Sequence, residues 1–389
     1  MPTYARADLA FERGEGAYLQ NRDGTWHLDF ASGIAVTALG HSHPHLVAAL
    51  TDQARKVWHT SNLYRIPDGE RLARRLCEAS FADSVFFCNS GVEAIEGAVK
   101  MVRKYHDETG HPGRHRVICC TDAFHGRTLT AIAASGSEKY RKGFEPTVEG
   151  FDHVAFNNTN ELRQAITDDT GAILVEPVQG EGGIRPADLQ YLRSLRRIAD
   201  EYGLLLIFDE IQCGMGRSGK LFAHEWAEVA PDIMTLAKGI GGGFPLGAVL
   251  TTQAVADAMN PGSHGTTFGG NPLAMAVGNA VLDVMQGEGF LDGVDATARD
   301  LWHKLLALAE RQPHAIEAVR GAGLMLGLKC VVPNGEMVAA LRGERLLTVP
   351  AGDNVVRLLP PLIIGSAEVD EAVDKIERAC ESFKAEAAE

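Results

Sequence analysis

The stretch DLQYLRSLRRIADEYGLLLIFD, residues 188–209, joins an amphipathic helix to an apolar strand. Apolar residues recur there at helical spacing and leave arginines and acids on the opposite side. This stripe comprises Leu189, Leu192, Leu195, Ile198 and Ala199. Gly203 is predicted to end the helix, because glycine accepts the left-handed backbone that is common at helix C-termini. The run LLLIFD has no polar residue before Asp209, which is typical of a strand buried on both faces.

Similar apolar runs recur along the chain, with helical stretches between them. They are VFFC at 85–88, RVICC at 116–120, AILVEP at 172–177, IMTLA at 233–237 and GAVLTT at 247–252. This alternation predicts an α/β fold with a mostly parallel central sheet flanked by helices. Beyond about residue 280 helices are followed by short strands, which indicates a smaller α+β domain. The predicted division is an N-terminal segment at 1–45 that packs with the small domain, a large domain at 46–285 and a C-terminal small domain at 286–389.

The composition favours a folded protein whose partners are small molecules. Of the 389 residues 45% are hydrophobic, and the formal net charge is −14, so the surface should repel nucleic acid and anionic membranes. Nowhere do about eighteen apolar residues run together, and the charged N-terminus does not resemble a signal peptide. We therefore expect a cytoplasmic protein with no membrane segment.

Metal binding is not predicted. The seven cysteines lack C-x-x-C spacing, which favours reduced thiols over disulfides or a zinc site. The segment HSHPH, with His41, His43 and His45, lies in a turn-like stretch without nearby acids, so it predicts a loop.

Lys238 lies between an apolar run and a glycine-rich turn, in IMTLAKGIGGG. Taken alone, a lysine at a strand end is more often solvated than functional. Asp209, however, also ends an apolar strand, and the ends of parallel strands are where α/β sheets bind ligands. A lysine that forms a Schiff base and a carboxylate that keeps a pyridine nitrogen protonated are the requirements of a pyridoxal phosphate site. Asp209 could instead cap the next turn.

A third strand end carries a possible phosphate cup. In FCNSGVEA the strand ends at Cys88 and a helix opens near Val92, with Ser90 and Gly91 at its start. The free N–H groups and positive dipole of a helix start attract phosphate. Ser90 as a plain N-cap is an equally common arrangement.

Eight motifs, in order, resemble the class III, fold-type I aminotransferases, and the resemblance covers nearly the whole chain. They are SGIAVTALGHSHP, NSGVEA, AFHGRT, VEPVQGEGG, FDEIQCGMGRSG, AKGIGGGFPLGA, GSHGTTFGGNP and VVRLLPPLII. The resemblance implies the PLP-transferase fold of type I, with pyridoxal 5'-phosphate held by the large domain.

The resemblance also implies the role of each cofactor contact. Lys238 would hold the cofactor covalently and move the proton, Asp209 would pair with the pyridine nitrogen, and Gln212 would contact the ring hydroxyl. The remaining contacts would come from Phe124 stacked on the ring, the backbone of Gly91 and Val92 with Ser90 at the phosphate, and Thr267 at the phosphate of a neighbouring subunit. Family members usually carry Thr or Ala where this chain has Val92, so no side-chain hydroxyl is available there. Thr267 implies a homodimer with shared active sites.

For the substrates, the resemblance implies two carboxylate-binding arginines. Arg127 would hold the carboxylate of an ω-amino donor, and Arg357 the α-carboxylate of glutamate or 2-oxoglutarate, with Glu181 pairing with Arg357 until the dicarboxylate arrives. Thr266 is predicted to contact substrate as well. Either arginine could alternatively form a surface ion pair.

The implied reaction moves the terminal amino group of N-acetylornithine to 2-oxoglutarate, giving N-acetylglutamate 5-semialdehyde and glutamate in arginine synthesis. Alternatives within the family act on ornithine, succinylornithine, succinyldiaminopimelate or 4-aminobutyrate. A non-catalytic or aminomutase member of the fold is disfavoured by Lys238 with Asp209 and by the two arginines. A nicotinamide oxidoreductase is disfavoured because GIGGG lacks the G-x-G-x-x-G order.

Overall fold

The computed structural model describes residues 1–384. The strands, in chain order, are β1 (Phe11–Glu15), β2 (Tyr18–Asn21), β3 (Trp26–Asp29), β4 (Ser84–Cys88), β5 (Arg116–Cys120), β6 (Phe151–Val154), β7 (Thr170–Val175), β8 (Val178–Gln179), β9 (Arg185–Pro186), β10 (Leu205–Asp209), β11 (Ile233–Leu236), β12 (Gly247–Thr251), β13 (Ile316–Ala322), β14 (Met325–Cys330), β15 (Leu346–Leu347), β16 (Val349–Ala351) and β17 (Val355–Leu358).

The helices surround these strands. They are α1 (Ser32–Ala35), α2 (Pro44–Ala54), α3 (Pro67–Glu78), α4 (Gly91–Glu108), α5 (Leu129–Ala134), α6 (Glu138–Arg141), α7 (Thr159–Ala165), α8 (Leu189–Tyr202), α9 (Gln253–Asp257), α10 (Pro272–Met285), α11 (Phe290–Arg311), α12 (Asn334–Gly343) and α13 (Ser366–Ser382), with short 3₁₀ turns at Ala223–Ala227 and Lys238–Gly241.

The central sheet has seven strands in the order β4-β12-β11-β10-β7-β5-β6. Strands β11, β10, β7, β5 and β6 pair in parallel, whereas β12 runs antiparallel to both of its neighbours. The reason is the connection: β11 reaches β12 through a glycine-rich turn, without the crossover helix that a parallel pair needs. The prediction of a mostly parallel sheet within an α/β fold is therefore confirmed.

The sequence pattern located most of this sheet. All six predicted apolar runs form strands of the sheet, within two residues of their predicted bounds, and β6 at the edge was not predicted. Helix α8 ends at Gly203, which adopts the expected left-handed backbone. Leu189 was wrongly assigned to the buried stripe: it is 41% exposed, because it is the first residue of the helix and lies beyond the core.

Two smaller four-stranded sheets and the antiparallel pair β8-β9 complete the fold. One has the order β1-β2-β3-β15, so a C-terminal strand pairs with the N-terminal segment, and the other has the order β13-β14-β17-β16. One hydrophobic cluster contains Leu28, Leu236 and Leu346 and thus joins the N-terminal, central and C-terminal parts. The division at residues 45 and 285 remains a prediction. Within residues 1–384, no helix is both long enough and apolar enough to cross a membrane.

Candidate active site

Three neighbouring strands of the central sheet end at one cavity. Glu176 directly follows β7, Asp209 is the last residue of β10, and Lys238 lies two residues beyond β11. We call this space, of about 440 Å³, the active-site cavity. Its wall includes Ser90, Gly91, Val92, Phe124, His125, Arg127, Glu176, Asp209, Gln212 and Lys238. The structure thus brings together eight of the predicted site residues.

Lys238 is held in an unusual conformation at this edge. Its φ is +51°, a left-handed value that costs free energy in a residue other than glycine. Gly242, in the turn that follows, has φ +53°, and a Cβ there would lie 2.6 Å from Leu46 Cδ2. Glycine is therefore favoured at position 242 for both its backbone conformation and its lack of a side chain. Burial lowers the pKa of Lys238, which favours the neutral amine that acts as a nucleophile.

Asp209 is fixed by three hydrogen bonds. Its Oδ1 accepts from the backbone N–H of Ile211 at 3.1 Å and from Thr235 Oγ1 at 3.2 Å. Its Oδ2 accepts from Nδ1 of the buried His125 at 2.8 Å. Burial lowers the pKa of His125, but the hydrogen bond and negative charge of Asp209 outweigh it and raise that pKa overall. The carboxylate is therefore oriented and charge-stabilised, and its role exceeds that of a turn cap.

Glu176 is a second buried acid in the wall that the motif analysis did not single out. Its carboxylate accepts from the backbone N–H of Phe124 at 3.0 Å and of Gly180 at 3.3 Å. Burial raises its pKa to about 7, His125 opposes this, and the charge of Asp209 adds to it. One signal for Glu176 was present in the sequence, since it ends an apolar run just as Asp209 does.

At the start of α4 the structure shows Ser90 as an N-cap, and its contact with phosphate stays a prediction. The Ser90 hydroxyl accepts from the Glu93 N–H at 3.4 Å, and Glu93 Oε2 accepts from the Asn89 N–H at 2.5 Å, so Ser90 is an N-cap. The backbone amides of Gly91 and Val92 have no acceptor within the helix and lie in the cavity wall. A Cβ on Gly91 would lie 2.9 Å from Ile211, so only glycine fits.

The two predicted arginines differ in burial and in ion pairing. Arg357 is 1% exposed, and its Nη1 donates to Glu181 Oε1 at 2.5 Å and to Gln212 Oε1 at 3.3 Å. Because Arg357 is buried and only Glu181 is partly exposed, the surface-ion-pair alternative is wrong for Arg357. Arg127 is exposed at the cavity wall, and no acid within residues 1–384 forms an ion pair with it.

Four predicted residues lie outside the wall of the active-site cavity: Arg357, Glu181, Thr266 and Thr267. Glu181 lines an adjoining open space of about 1010 Å³, which we call the outer polar cavity and which also includes Tyr140, Arg185 and Arg320. Thr266 Oγ1 accepts from the Gly269 N–H at 3.1 Å, and Thr267 is exposed. The structure therefore does not place Thr266 or Thr267 against this chain's own Lys238.

The three histidines of HSHPH do not converge on a point. His41 bonds Asp29 at 2.8 Å and His45 bonds Asp283 at 2.9 Å. In the part of the chain that the structure describes, no group of three or more His, Cys, Asp or Glu side chains is arranged to hold a metal.

The cavity residues fit pyridoxal phosphate. The open amides at the start of α4 suit a phosphate, and Asp209 suits a protonated ring nitrogen. Phe124 offers an aromatic face, and Lys238 offers an amine whose pKa is lowered. Nε2 of His125 is buried without a partner, in agreement with a further polar group being present when the site is filled.

Comparisons with known proteins agree with this site. The model of the aminotransferase class-III family matches residues 2–380. An acetylornithine aminotransferase of Mesorhizobium japonicum is 61% identical over 374 residues, which cover 96% of this chain and 94% of that protein.

Solved structures agree as well. An ornithine aminotransferase of Toxoplasma gondii superposes with a TM-score of 0.95 at 32% identity, covering 99% of this chain and 93% of that one. An N-acetylornithine aminotransferase of Stenotrophomonas maltophilia superposes with a TM-score of 0.86 at 38% identity, covering 98% of each chain. The chain therefore belongs to the class-III aminotransferases, a pyridoxal-phosphate-dependent family.

Proposed function

We propose that the protein transfers the δ-amino group of N-acetylornithine to 2-oxoglutarate, giving N-acetylglutamate 5-semialdehyde and glutamate in arginine synthesis. The observation that carries the proposal is the contrast between two arginines near one cavity. Arg357 is neutralised by Glu181, whereas Arg127 has no acid partner within residues 1–384. The names of the similar acetylornithine aminotransferases support the same substrate.

This contrast suits two substrates that share one site. N-acetylornithine carries its only carboxylate far from the reacting amine, and the unpaired Arg127 can bind it. The reacting end of N-acetylornithine has no carboxylate, so Glu181 can stay on Arg357. With 2-oxoglutarate a carboxylate lies beside the reacting carbonyl, and it displaces Glu181 and takes Arg357 instead.

The acetyl group favours this donor over free ornithine, the substrate named for the solved structure with the TM-score of 0.95. Free ornithine carries an α-ammonium group beside its carboxylate, close to where Arg127 would bind. Acetylation removes that positive charge. Since no acid within the described residues pairs with Arg127, a neutral acylated donor is the better electrostatic match.

Each residue of the cavity has a distinct task in the reaction. Bound pyridoxal phosphate supplies a ring that accepts electrons and carries the amino group between the two substrates. Lys238 Nζ takes the proton from the substrate carbon that bears the amine. Asp209 holds a proton at the ring nitrogen, and His125 keeps Asp209 charged and oriented. The amides of Gly91 and Val92 bind the phosphate.

The test is a substrate panel on the purified holoenzyme. We expect kcat/KM to be highest for N-acetylornithine, compared with N-succinylornithine, ornithine and 4-aminobutyrate. Lys238→Ala should abolish turnover and the visible absorbance of the covalently held cofactor. A panel in which ornithine or 4-aminobutyrate is preferred would refute the proposed donor, and an active Lys238→Ala enzyme would refute the site.

We also propose that a second copy of the chain covers the face around Thr267. Large apolar side chains are exposed on the two segments that meet there, namely Trp58, Leu63, Tyr64 and Phe268. Asn62 Nδ2 joins the segments by donating to the Gly269 carbonyl at 2.9 Å. Exposed apolar area of this kind marks an interface, and a homodimer would bring Thr267 to the phosphate of the partner's cofactor. Light scattering that shows only monomer would refute it.

We further propose that the enzyme works in the cytoplasm. All seven cysteines are free thiols, and six of them are buried. Free, buried thiols without disulfides are typical of proteins in reducing compartments.

A further inference from the structure

Tyr140 supports Arg127 from outside the active-site cavity. Tyr140 belongs to the short helix α6, and Arg127 Cζ lies 4.0 Å from the centroid of its ring. The ring also meets Phe124 edge-on, with centroids 5.5 Å apart and an interplanar angle of 78°. Arg127 lines the active-site cavity, whereas Tyr140 lines the outer polar cavity. The Arg127–Tyr140 cation–π pair therefore lies between the two cavities.

Contact with an aromatic ring leaves the in-plane N–H groups of the guanidinium free to donate hydrogen bonds. An aromatic ring binds the flat face of a guanidinium, while carboxylates are bound by the N–H groups in its plane. Arg127 is exposed and has no ion pair among the described residues, so the rings are what limit its orientation. A long, exposed arginine otherwise loses much side-chain entropy when it binds.

We propose that Tyr140 is a positioning residue, whose ring holds the guanidinium of Arg127 in the plane that binds the carboxylate of the amino donor. This inference rests on the proposed function, in which Arg127 binds that carboxylate. The acceptor's α-carboxylate depends on Arg357, which is fixed by Glu181, Gln212 and Pro350. Loss of the Tyr140 ring should affect an amino donor that carries this carboxylate much more than a donor that lacks it.

The ring, rather than the hydroxyl, performs this task. Burial and then the charge of Glu181 raise the pKa of Tyr140, while Arg127 and Arg357 oppose the rise, so the phenol stays neutral at neutral pH. A neutral phenol adds no charge to carboxylate recognition. Phenylalanine at position 140 keeps the aromatic face, so it should rescue the function.

The experiment compares two donors that differ only in the carboxylate. N-acetylputrescine is N-acetylornithine without its carboxylate. For Tyr140→Leu we expect about a tenfold rise in KM for N-acetylornithine with little change in kcat. The kinetics with N-acetylputrescine, which has no carboxylate for Arg127 to bind, should stay within about twofold of wild type. Tyr140→Phe should behave as wild type, and Tyr140→Leu should have no further effect in an Arg127→Ala background.

The control is Tyr202→Leu, which removes another tyrosine ring near an arginine. Tyr202 belongs to α8 and lines neither cavity, and Arg163 Cζ lies 5.8 Å from the centroid of its ring. The Tyr202→Leu variant should leave the kinetics with both donors unchanged. If Tyr140→Leu does not fold, Tyr140→Trp takes its place, because the larger π face should keep the KM for N-acetylornithine at or below the wild-type value.

The outcomes separate this inference from the proposed function. A wild-type enzyme that ignores N-acetylornithine refutes the function. In an enzyme that uses N-acetylornithine, three results each overturn the inference alone: equal losses with both donors, a Tyr140→Phe enzyme as impaired as Tyr140→Leu, or a raised KM in Tyr140→Trp.

Discussion

His125 donates a hydrogen bond from Nδ1 to Oδ2 of Asp209 over 2.8 Å, and both side chains are at most 3% exposed. No other side chain in the described structure donates to this oxygen. A buried carboxylate oxygen without its donor is costly, so the pair is expected to act as one unit.

We first predict that His125→Phe weakens cofactor binding and lowers kcat, each by about tenfold, because one charge-assisted hydrogen bond is lost. Absorbance titration of the apoprotein with pyridoxal phosphate measures the affinity, and steady-state kinetics measures kcat. His106→Phe is the matched control: His106 is equally buried but donates to the Gly171 carbonyl, away from the cavity. It should reduce stability while leaving cofactor affinity intact. Equal loss of affinity in both variants would contradict the prediction.

The same pair predicts a pH dependence of stability. The folded-state pKa of His125 is raised, so the stabilisation is fully present below the unfolded pKa of about 6.5 and disappears as the pH rises through the folded value. The free energy of unfolding of wild-type apoprotein, minus that of His125→Phe, should therefore be largest below about pH 6.5 and fall as the pH rises above it. Denaturant titrations of both proteins at several pH values measure this difference. Because the charge of His125 lowers the pKa of Glu176, the same comparison is made in a Glu176→Gln background, where only His125 contributes.

Our next prediction separates the two arginines. Arg357→Ala should reduce the rate constant of the half-reaction with 2-oxoglutarate or glutamate by about ten- to a hundredfold, because its bidentate contact with the α-carboxylate is lost. The half-reaction with N-acetylornithine should change far less. Stopped-flow absorbance follows each half-reaction separately. Arg320→Ala removes another paired arginine, which bonds Asp353 at 2.6 Å, and should alter neither. Equal losses in both half-reactions would exclude this division of tasks.

The next prediction concerns Glu181, the ion-pair partner of Arg357. Glu181→Gln removes the charge that neutralises Arg357 in the structure. The arginine then attracts any α-carboxylate, so the variant should accept α-amino acids that the wild-type enzyme discriminates against. Half-reaction kinetics with alanine and glutamate provide the measurement. If alanine remains as poor a substrate as in wild type, Glu181 does not act as the switch.

A glycine beside Gln212 gives a steric prediction. A Cβ on Gly180 would lie 2.5 Å from Gln212 Oε1, the atom that accepts from Arg357. Gly180→Ala should displace this amide and weaken cofactor binding, with a smaller effect on the free energy of unfolding because the end of the Gln212 side chain can move. Gly293→Ala is the control, because a Cβ there meets no atom within 4 Å. Calorimetry and cofactor titration measure the two effects. An undisturbed affinity would show that Gln212 does not need this position.

Local sequence patterns predicted much of the fold but only part of the site. Lys238 and Asp209 end apolar runs that are visible in the sequence, so both could be located by inspection. Glu176 also ends such a run. Its importance depends on β7 lying beside β10, and strand order is a long-range property that no single run specifies.

Side-chain partnerships were the hardest to predict. His125 lies 84 residues before Asp209, and the two meet only after the sheet has formed. Tyr140, on α6, likewise lies against Arg127 only because the chain between the two residues folds back. By contrast, the N-cap role of Ser90 was one of the two interpretations of the sequence, because serine at the start of a helix commonly caps it.

The final prediction concerns the proposed homodimer and uses mixed subunits. Lys238 and Arg357 serve the site of their own chain, where Gln212 lines the cavity and bonds Arg357. Thr267, which is exposed, would serve the partner's site. Lys238→Ala and Thr267→Ala proteins should each be impaired as pure dimers. A hybrid dimer combines both defects in one site and leaves the other site intact.

Unfolding the two variants together and refolding them should therefore restore about a quarter of wild-type activity, since about half of randomly formed dimers are hybrids with one intact site. The control mixture, Lys238→Ala with Arg357→Ala, should show no such gain, because both residues act within one chain and every hybrid site carries a defect. Activity is compared with the mean of the two parents at equal total protein. Activity equal to that mean in the Thr267→Ala mixture would show that Thr267 does not reach across to a partner.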